Sequence, residues 1–252
     1  MPSSSTVTAT EIDRLSPTQR PTDQRVIMRQ EWKSLLFLHW SVDPEIIQQR
    51  LPRGLFVDTY DDSAYLGVVP FYMHALRPVF APAVPGISFF PELNLRTYVY
   101  DKAGRPGVWF FSLDAHTRIS VWIARTFFNL NYQYARMSYR EHEDSSFTIT
   151  CKRGSSQDQN FCYKPEEKIG HALPGSIEHF LVERYYLFNQ ANDGSIGIGR
   201  IHHAPYEIHE PKVAHYDVTL FPLNGFPRPQ KTFDHALFSP GVDVSVFPIK
   251  KA

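Results

Sequence analysis

The chain has 252 residues with 26 basic and 26 acidic side chains, a formal net charge of zero and a pI near 7.2. That balance offers no broad field for nucleic acid or an anionic membrane, so neither is an expected partner and a small-molecule ligand is. Apolar residues at 42% and aromatics at 14% can fill one main core. No apolar run reaches the length of a transmembrane helix, and no basic start leads into an apolar block, so a cytoplasmic location is expected. The two cysteines, Cys151 and Cys162, are too few for a zinc set and are read as reduced thiols, with a disulfide between them left open.

Met1 to Gln24 is Ser, Thr, Pro and charge with almost no apolar periodicity, which predicts a disordered tail ahead of one domain over residues 25–252. Trp32–Val42 (WKSLLFLHWSV) predicts a buried strand. Asp43 is placed to cap a short helix over 44–50, with Pro44 at its first position. Strands over 56–60 and 63–72 meet at Asp61-Asp62, and a proline-punctuated loop covers 77–91.

Residues 86–116 form the centre of the pattern. From Glu92 to Tyr100 the side chains alternate, with Glu92, Asn94, Arg96, Tyr98 and Tyr100 on one face and Leu93, Leu95, Thr97 and Val99 on the other. A breaker-rich turn, Asp101–Gly107, leads into an aromatic and β-branched strand over 108–115, so an antiparallel hairpin is expected. Pairing Tyr100 with Val108 would set Arg96 opposite Ser112 and Asn94 opposite Asp114, gathering them with Glu92 on one polar face. A slip by one residue would scatter them.

Residues 117–129 carry Ile119, Trp122, Ile123 and Phe127 at helical spacing, which predicts a helix packed over the apolar face while the polar face lines a cavity. Further hairpins are expected over 132–141 with 146–152, and over 184–189 with 195–202. Residues 154–160 read as loop, Ser176 caps a helix through Glu183, and the last strand covers 242–249. Many hairpins with a few helices predict an α+β fold, mainly antiparallel β, closed or partly closed into a β barrel.

The segments LHW (38–40), LPRGL (51–55), VDTYDDSAYLGVVPF (57–71), ELNLRTYV (92–99), GVWFFSLDA (107–115), LVERYYLF (181–188) and GVDVSVFPI (241–249) resemble the YqjF-like family of uncharacterised proteins. The resemblance covers the chain after the tail. It implies the fold of acetoacetate decarboxylase, a cofactor-free enzyme whose β barrel encloses a reactive lysine, a glutamate and an arginine. Where the decarboxylase has a Gly-Phe-Pro-Lys-Lys run, this chain reads Asn129-Leu130-Asn131-Tyr132-Gln133, with no amine for a Schiff base.

The expected site is therefore an acid-base pocket without a lysine nucleophile. Glu92 and Arg96 are the candidate catalytic residues: Arg96 would orient a carboxylate and serve as counter-charge to Glu92, which would move a proton. Asn94, Tyr98, Ser112 and Tyr132 are the candidate ligand-binding residues. The structural reading of Glu92 and Arg96 is an ion pair closing the barrel, and that of Asp114 is a cap on the following helix, which is favoured over a base paired with His116. His202, His203 and His209 have no regular metal-ligand spacing, Ser112 lacks a nucleophile elbow, and His39 reads as a satisfied core histidine. No metal and no cofactor are expected. The function that follows is a pocket protein for a small organic acid or ketone, with acid-base lyase chemistry or with binding or sensing alone; a homo-oligomer is compatible with either.

Overall fold

The computed structural model describes residues 12–252. In chain order the elements begin with β1 (Met28–Val42), α1 (Pro44–Gln48), β2 (Leu55–Val57), β3 (Ala64–Pro78), β4 (Phe90–Asp101), β5 (Pro106–Ala115) and α2 (Arg118–Phe128). There follow β6 (Tyr132–Tyr134), β7 (Arg136–Glu141), β8 (Phe147–Lys152), β9 (Gln159–His171) and α3 (Ile177–Val182). The chain ends with β10 (Tyr186–Gln190), β11 (Ile196–His202), β12 (Glu207–His215), α4 (Leu220–Leu223), β13 (His235–Val246) and β14 (Lys250–Lys251).

These strands form one mainly antiparallel sheet in which β11, β10, β5, β4, β3, β1 and β13 are successive neighbours. β13 also pairs with β11, through Ile201 with Val246 and His202 with Ser245, so the sheet returns on itself as a strand ring. From β13 a second arm, β12-β9-β8-β7, folds back over the outside of that ring.

β4 is buried along its whole length, because it has cover on both faces. Its odd residues Leu93 and Leu95 pack with Met137, Ile149 and Phe161 of the outer arm. Its even side face looks into the ring, where Tyr98 joins Phe37, Val69, Phe71 and Phe180. The expected split of β4 into two faces is present, but α2 does not cover the apolar one. Ser120 and Val121 of α2 are buried on the cavity side, whereas Ile119 and Trp122 are exposed; the side chains of Ile123 and Phe127 lie outside the described residues.

The hairpin register differs from the expected one. The Asp101 carboxylate accepts hydrogen bonds from the backbone of Ala103 and Arg105 and pairs with the Arg105 guanidinium, which tightens the turn. Tyr100 therefore pairs with Pro106 and Arg96 with Phe110. A bulge then skips Phe111, so Leu95 faces Ser112 and Leu93 faces Asp114. One extra residue reverses the faces beyond it: Leu113 points into the ring, and Ser112 and Asp114 point away.

The amino-terminal segment is also more ordered than its composition suggests. From residue 12 onward it packs, with Ile12 and Pro17 buried, Arg14 paired to Asp58, and Gln19 accepting from Arg200 at 2.7 Å. Residues 1–11 of the expected tail lie outside the described residues.

Candidate functional site

The strand ring encloses a cavity of about 350 Å³. β4 gives it Glu92, Asn94 and Arg96, β3 gives Val69, Phe71 and Met73, and the end of α3 with the following residues gives Val182 and Arg184. Tyr132 and Leu130, from the segment after α2, close one side. The long β3–β4 loop supplies Ala81, Pro82, Val84 and Ile87.

Glu92 is 2% exposed, and its Oε2 accepts the Tyr132 hydroxyl at 2.8 Å. Burial pushes its carboxyl up to about 7, against the opposing hydrogen bonds from Tyr132 and Asn94. Asp114, across the sheet, adds a smaller push in the same direction. Tyr132 is held well above the ordinary phenol range, first by burial and then by the Glu92 charge, so it stays a donor.

Arg96 is 8% exposed. Its Nη2 donates to the Leu181 carbonyl at 3.0 Å and to the Tyr98 hydroxyl at 3.3 Å, and its guanidinium lies 5.3 Å from the Phe37 ring centre. Among the described residues no carboxylate pairs with it, and its Nε has no hydrogen-bond partner. The expected Glu92–Arg96 pair is thus absent. Residues i and i+4 on a strand start about 13 Å apart, and Arg96 extends toward α3 while Glu92 extends toward Tyr132. Gly67 permits this placement: the His39 ring would stand 3.1 Å, and Arg96 Cγ 3.4 Å, from a Cβ at that position.

Asn94 also faces the cavity, with Oδ1 lacking a protein partner. Tyr98 does not line it: the hydroxyl donates to the Leu181 carbonyl at 2.7 Å and sits 2.6 Å from His39 Nε2. His39 is buried and its pKa is driven well below the ordinary imidazole range, by burial first and then by Arg96 and His235. Ser112 is on the other side of the sheet, where its Oγ accepts from Arg153 at 2.7 Å and from Asn224 at 3.0 Å. Asp114 pairs with Arg153 at 2.5 Å instead of capping α2. The bulge thus separates Ser112 and Asp114 from the cavity.

One charged group stands outside the candidate set, in the Glu183-Arg184-Tyr185 segment whose residues read equally as a helix-end ion pair or as pocket lining. Arg184 lines the cavity and pairs at 2.7 Å with the fully buried Asp58, which also holds Arg14. Its remaining Nη2 has no hydrogen-bond partner. Two guanidinium groups therefore face one chamber, and among the described residues the one carboxylate paired with either of them, Asp58, is already shared with Arg14. Glu183, beside Arg184, turns away to accept from Tyr185 at 2.5 Å and from the Tyr206 backbone at 2.9 Å.

The three histidines weighed as metal ligands have separate surroundings. His203 stacks on Tyr185 with 4.6 Å between ring centres, His209 sits 3.1 Å from Glu207, and His202 is half-buried near Tyr185. Among the described residues no group of three or more His, Cys, Asp and Glu side chains has metal-binding geometry.

A mainly antiparallel strand ring, with one polar strand face turned toward an inner cavity, belongs to the acetoacetate-decarboxylase-like fold class. Solved structures share that architecture. Acetoacetate decarboxylase from Legionella pneumophila superposes with a TM-score of 0.61 at 12% identity, covering 93% of this chain and 90% of that one. The enduracididine biosynthesis enzyme MppR, complexed with pyruvate, gives 0.65 at 10% identity over 93% and 94% of the two chains. At these identities the likeness concerns the fold. The chain itself belongs to the DUF2071 family, described as an uncharacterized conserved protein, which matches residues 29–243. It is 36% identical over 228 residues to the uncharacterized protein YqjF of Bacillus subtilis (strain 168), covering 89% of this chain and 92% of that protein. Among the described residues, no helix is long and apolar enough to cross a membrane.

Proposed function

We propose that this protein binds a small organic acid or ketone acid in the ring cavity, with the ligand carboxylate on Arg96 and with Glu92 and Tyr132 as its acid-base pair. The observation that carries the reading is the state of Arg96: a buried guanidinium facing a cavity, with no carboxylate partner among the described residues and an unused Nε. A buried cation without a counter-ion is unfavourable, and an anionic ligand would relieve it with two parallel hydrogen bonds. Glu92 with its carboxyl near 7 can hold or release a proton at neutral pH, as a general acid or base must. The enzyme MppR, whose fold is shared, is described as complexed with pyruvate, a ligand of the same chemical class.

No lysine is among the cavity-lining residues, so an imine step has no amine to use there. Proton transfer at a carbon next to the ligand carbonyl is the chemistry that Glu92 and Tyr132 support. The same missing amine favours a second reading, a binding or sensory module that holds the acid without turning it over.

A thermal-shift screen of carboxylic and 2-oxo acids tests the proposal, with each acid compared with its methyl ester. Stabilisation by acids but not by their esters is expected, whereas equal shifts would remove Arg96 from the account. Nuclear magnetic resonance of a stabilising acid incubated with protein in deuterated water separates the readings. Exchange at the carbon next to the carbonyl marks the enzyme, and an unchanged ligand marks the binding module.

A further inference from the structure

We propose that the ligand of this cavity is a carboxylic acid with an apolar tail of roughly six to ten carbons, not a three- or four-carbon acid. The inference rests on the reading of Arg96 as the partner of the ligand carboxylate. It adds the class of the remainder of the molecule.

The first support is volume. At about 350 Å³ the chamber falls within the roughly 300–1,000 Å³ range of pockets that take ligands much larger than a three-carbon acid. The second is where the unused polar atoms are. Of the cavity-lining polar atoms without a hydrogen-bond partner among the described residues, Arg96 Nε and Asn94 Oδ1 are on β4 and Arg184 Nη2 just follows α3, while the fourth, the indole Nε1 of Trp32, is on β1 beside Met73. The hydroxyls toward the β3–β4 loop are already engaged: Ser88 accepts from the Val84 backbone at 2.9 Å, and Ser120 donates to the Ile87 carbonyl at 3.0 Å.

The third is what lies between these two ends. Val69 pairs with Asn94 and Met73 with Phe90, so the five residues from Val69 to Met73 run for about 13 Å from the polar wall toward the loop. Val69, Phe71 and Met73 are the β3 residues that face the cavity along that run, with Phe110 and Leu113 of β5 also lining the chamber; Glu92, opposite Phe71 and bonded to Tyr132, is the polar group between the two ends. A carboxylate at the polar wall would therefore extend its chain through a mainly apolar corridor that passes the Glu92–Tyr132 pair. A short acid would leave that corridor to water with few polar partners, while each added methylene would displace some of it.

Calorimetric titration of the full-length protein at pH 6 with acetate, butanoate, hexanoate, octanoate and 1-octanol tests this. Affinity is expected to rise about four-fold per methylene, the ~0.8 kcal/mol of a buried CH2 expressed as a ratio, through hexanoate to octanoate. Octanoate should bind at least about ten-fold more tightly than 1-octanol, the ratio that follows from the ~1.5 kcal/mol lower bound of a hydrogen bond to a charged group. Butanoate binding as tightly as octanoate would overturn the apolar tail and leave the carboxylate reading intact. If 1-octanol binds as tightly as octanoate, the carboxylate reading fails and the inference fails with it. Absence of binding by all five would overturn both.

Discussion

The Tyr132 hydroxyl donates to Glu92 Oε2 at 2.8 Å, joining the segment that follows α2 to the central strand of the ring. The bond favours the charged form of Glu92 against the larger effect of burial. Tyr132→Phe should therefore raise the Glu92 midpoint above its present value of about 7. Carbon-13 resonance titration of the glutamate carboxyls, assigned by comparison with Glu92→Gln, would measure it. An unmoved midpoint would mean that the hydroxyl does not stabilise the carboxylate.

Glu92 also links stability to pH. Its folded midpoint, about 7, lies above the 4.5 of an unperturbed glutamate. Between those values the folded state holds more protons than the unfolded one, so this group's contribution is full below about 4.5 and is lost as pH rises through 7. Glu92→Gln should match wild type near pH 4 and exceed it by about 3 kcal/mol near pH 9. His39 and His203 are depressed and act with the opposite sign in acid, while Glu183 and Asp114 are raised and act with the same sign. The difference between variant and wild-type urea curves cancels these shared contributions. A pH-independent difference would contradict the assignment.

The two cavity arginines should respond in opposite ways to the same substitution. Arg96 leaves no carboxylate behind when replaced, so Arg96→Met should keep or raise the melting temperature. Arg184→Met removes one of the two cations on the buried Asp58 and should cost about 2–3 kcal/mol, with Arg14 limiting the loss. Denaturation curves of both variants decide this. Equal losses would imply that Arg96 has a structural partner comparable to Asp58.

The cysteines should differ in reactivity. Cys151 is buried, and burial followed by the Asp114 charge pushes its thiol far above the usual range, while Cys162 is partly exposed. They are free and out of register, since Cys151 pairs with Gln159 and Cys162 with Thr148. A thiol reagent at pH 8 should modify Cys162 in the native protein and reach Cys151 only on unfolding. Rapid modification of both would place Cys151 in a more open setting.

Much of the sheet was legible because its strands alternate cleanly or are continuously apolar, as in β1, β4 and β5 of the ring and β8 of the outer arm. The Asp43 and Ser176 caps were legible too, and both accept backbone hydrogen bonds as expected. β9 and β12 were not read as strands. β9 loses its alternation at the exposed Glu166, Glu167 and Lys168, and β12 carries Pro211 among charged residues. The bulge at Phe111 was hidden because Phe110 and Phe111 offer the same residue type to either face, yet it decides which polar groups share the cavity. Arg184 and Asp58 lie 126 residues apart, and strand periodicity carries no information about such a pair.

The central claim is that Arg96 is the anion-binding group of the cavity. Calorimetric titration of wild type, Arg96→Lys and Arg96→Met with octanoate at pH 6 tests it most directly. Saturable one-to-one binding is predicted for wild type, with a loss of about ten-fold or more in Arg96→Lys, where the planar fork is gone, and a greater loss in Arg96→Met. Wild-type affinity in a folded Arg96→Met protein would contradict the account.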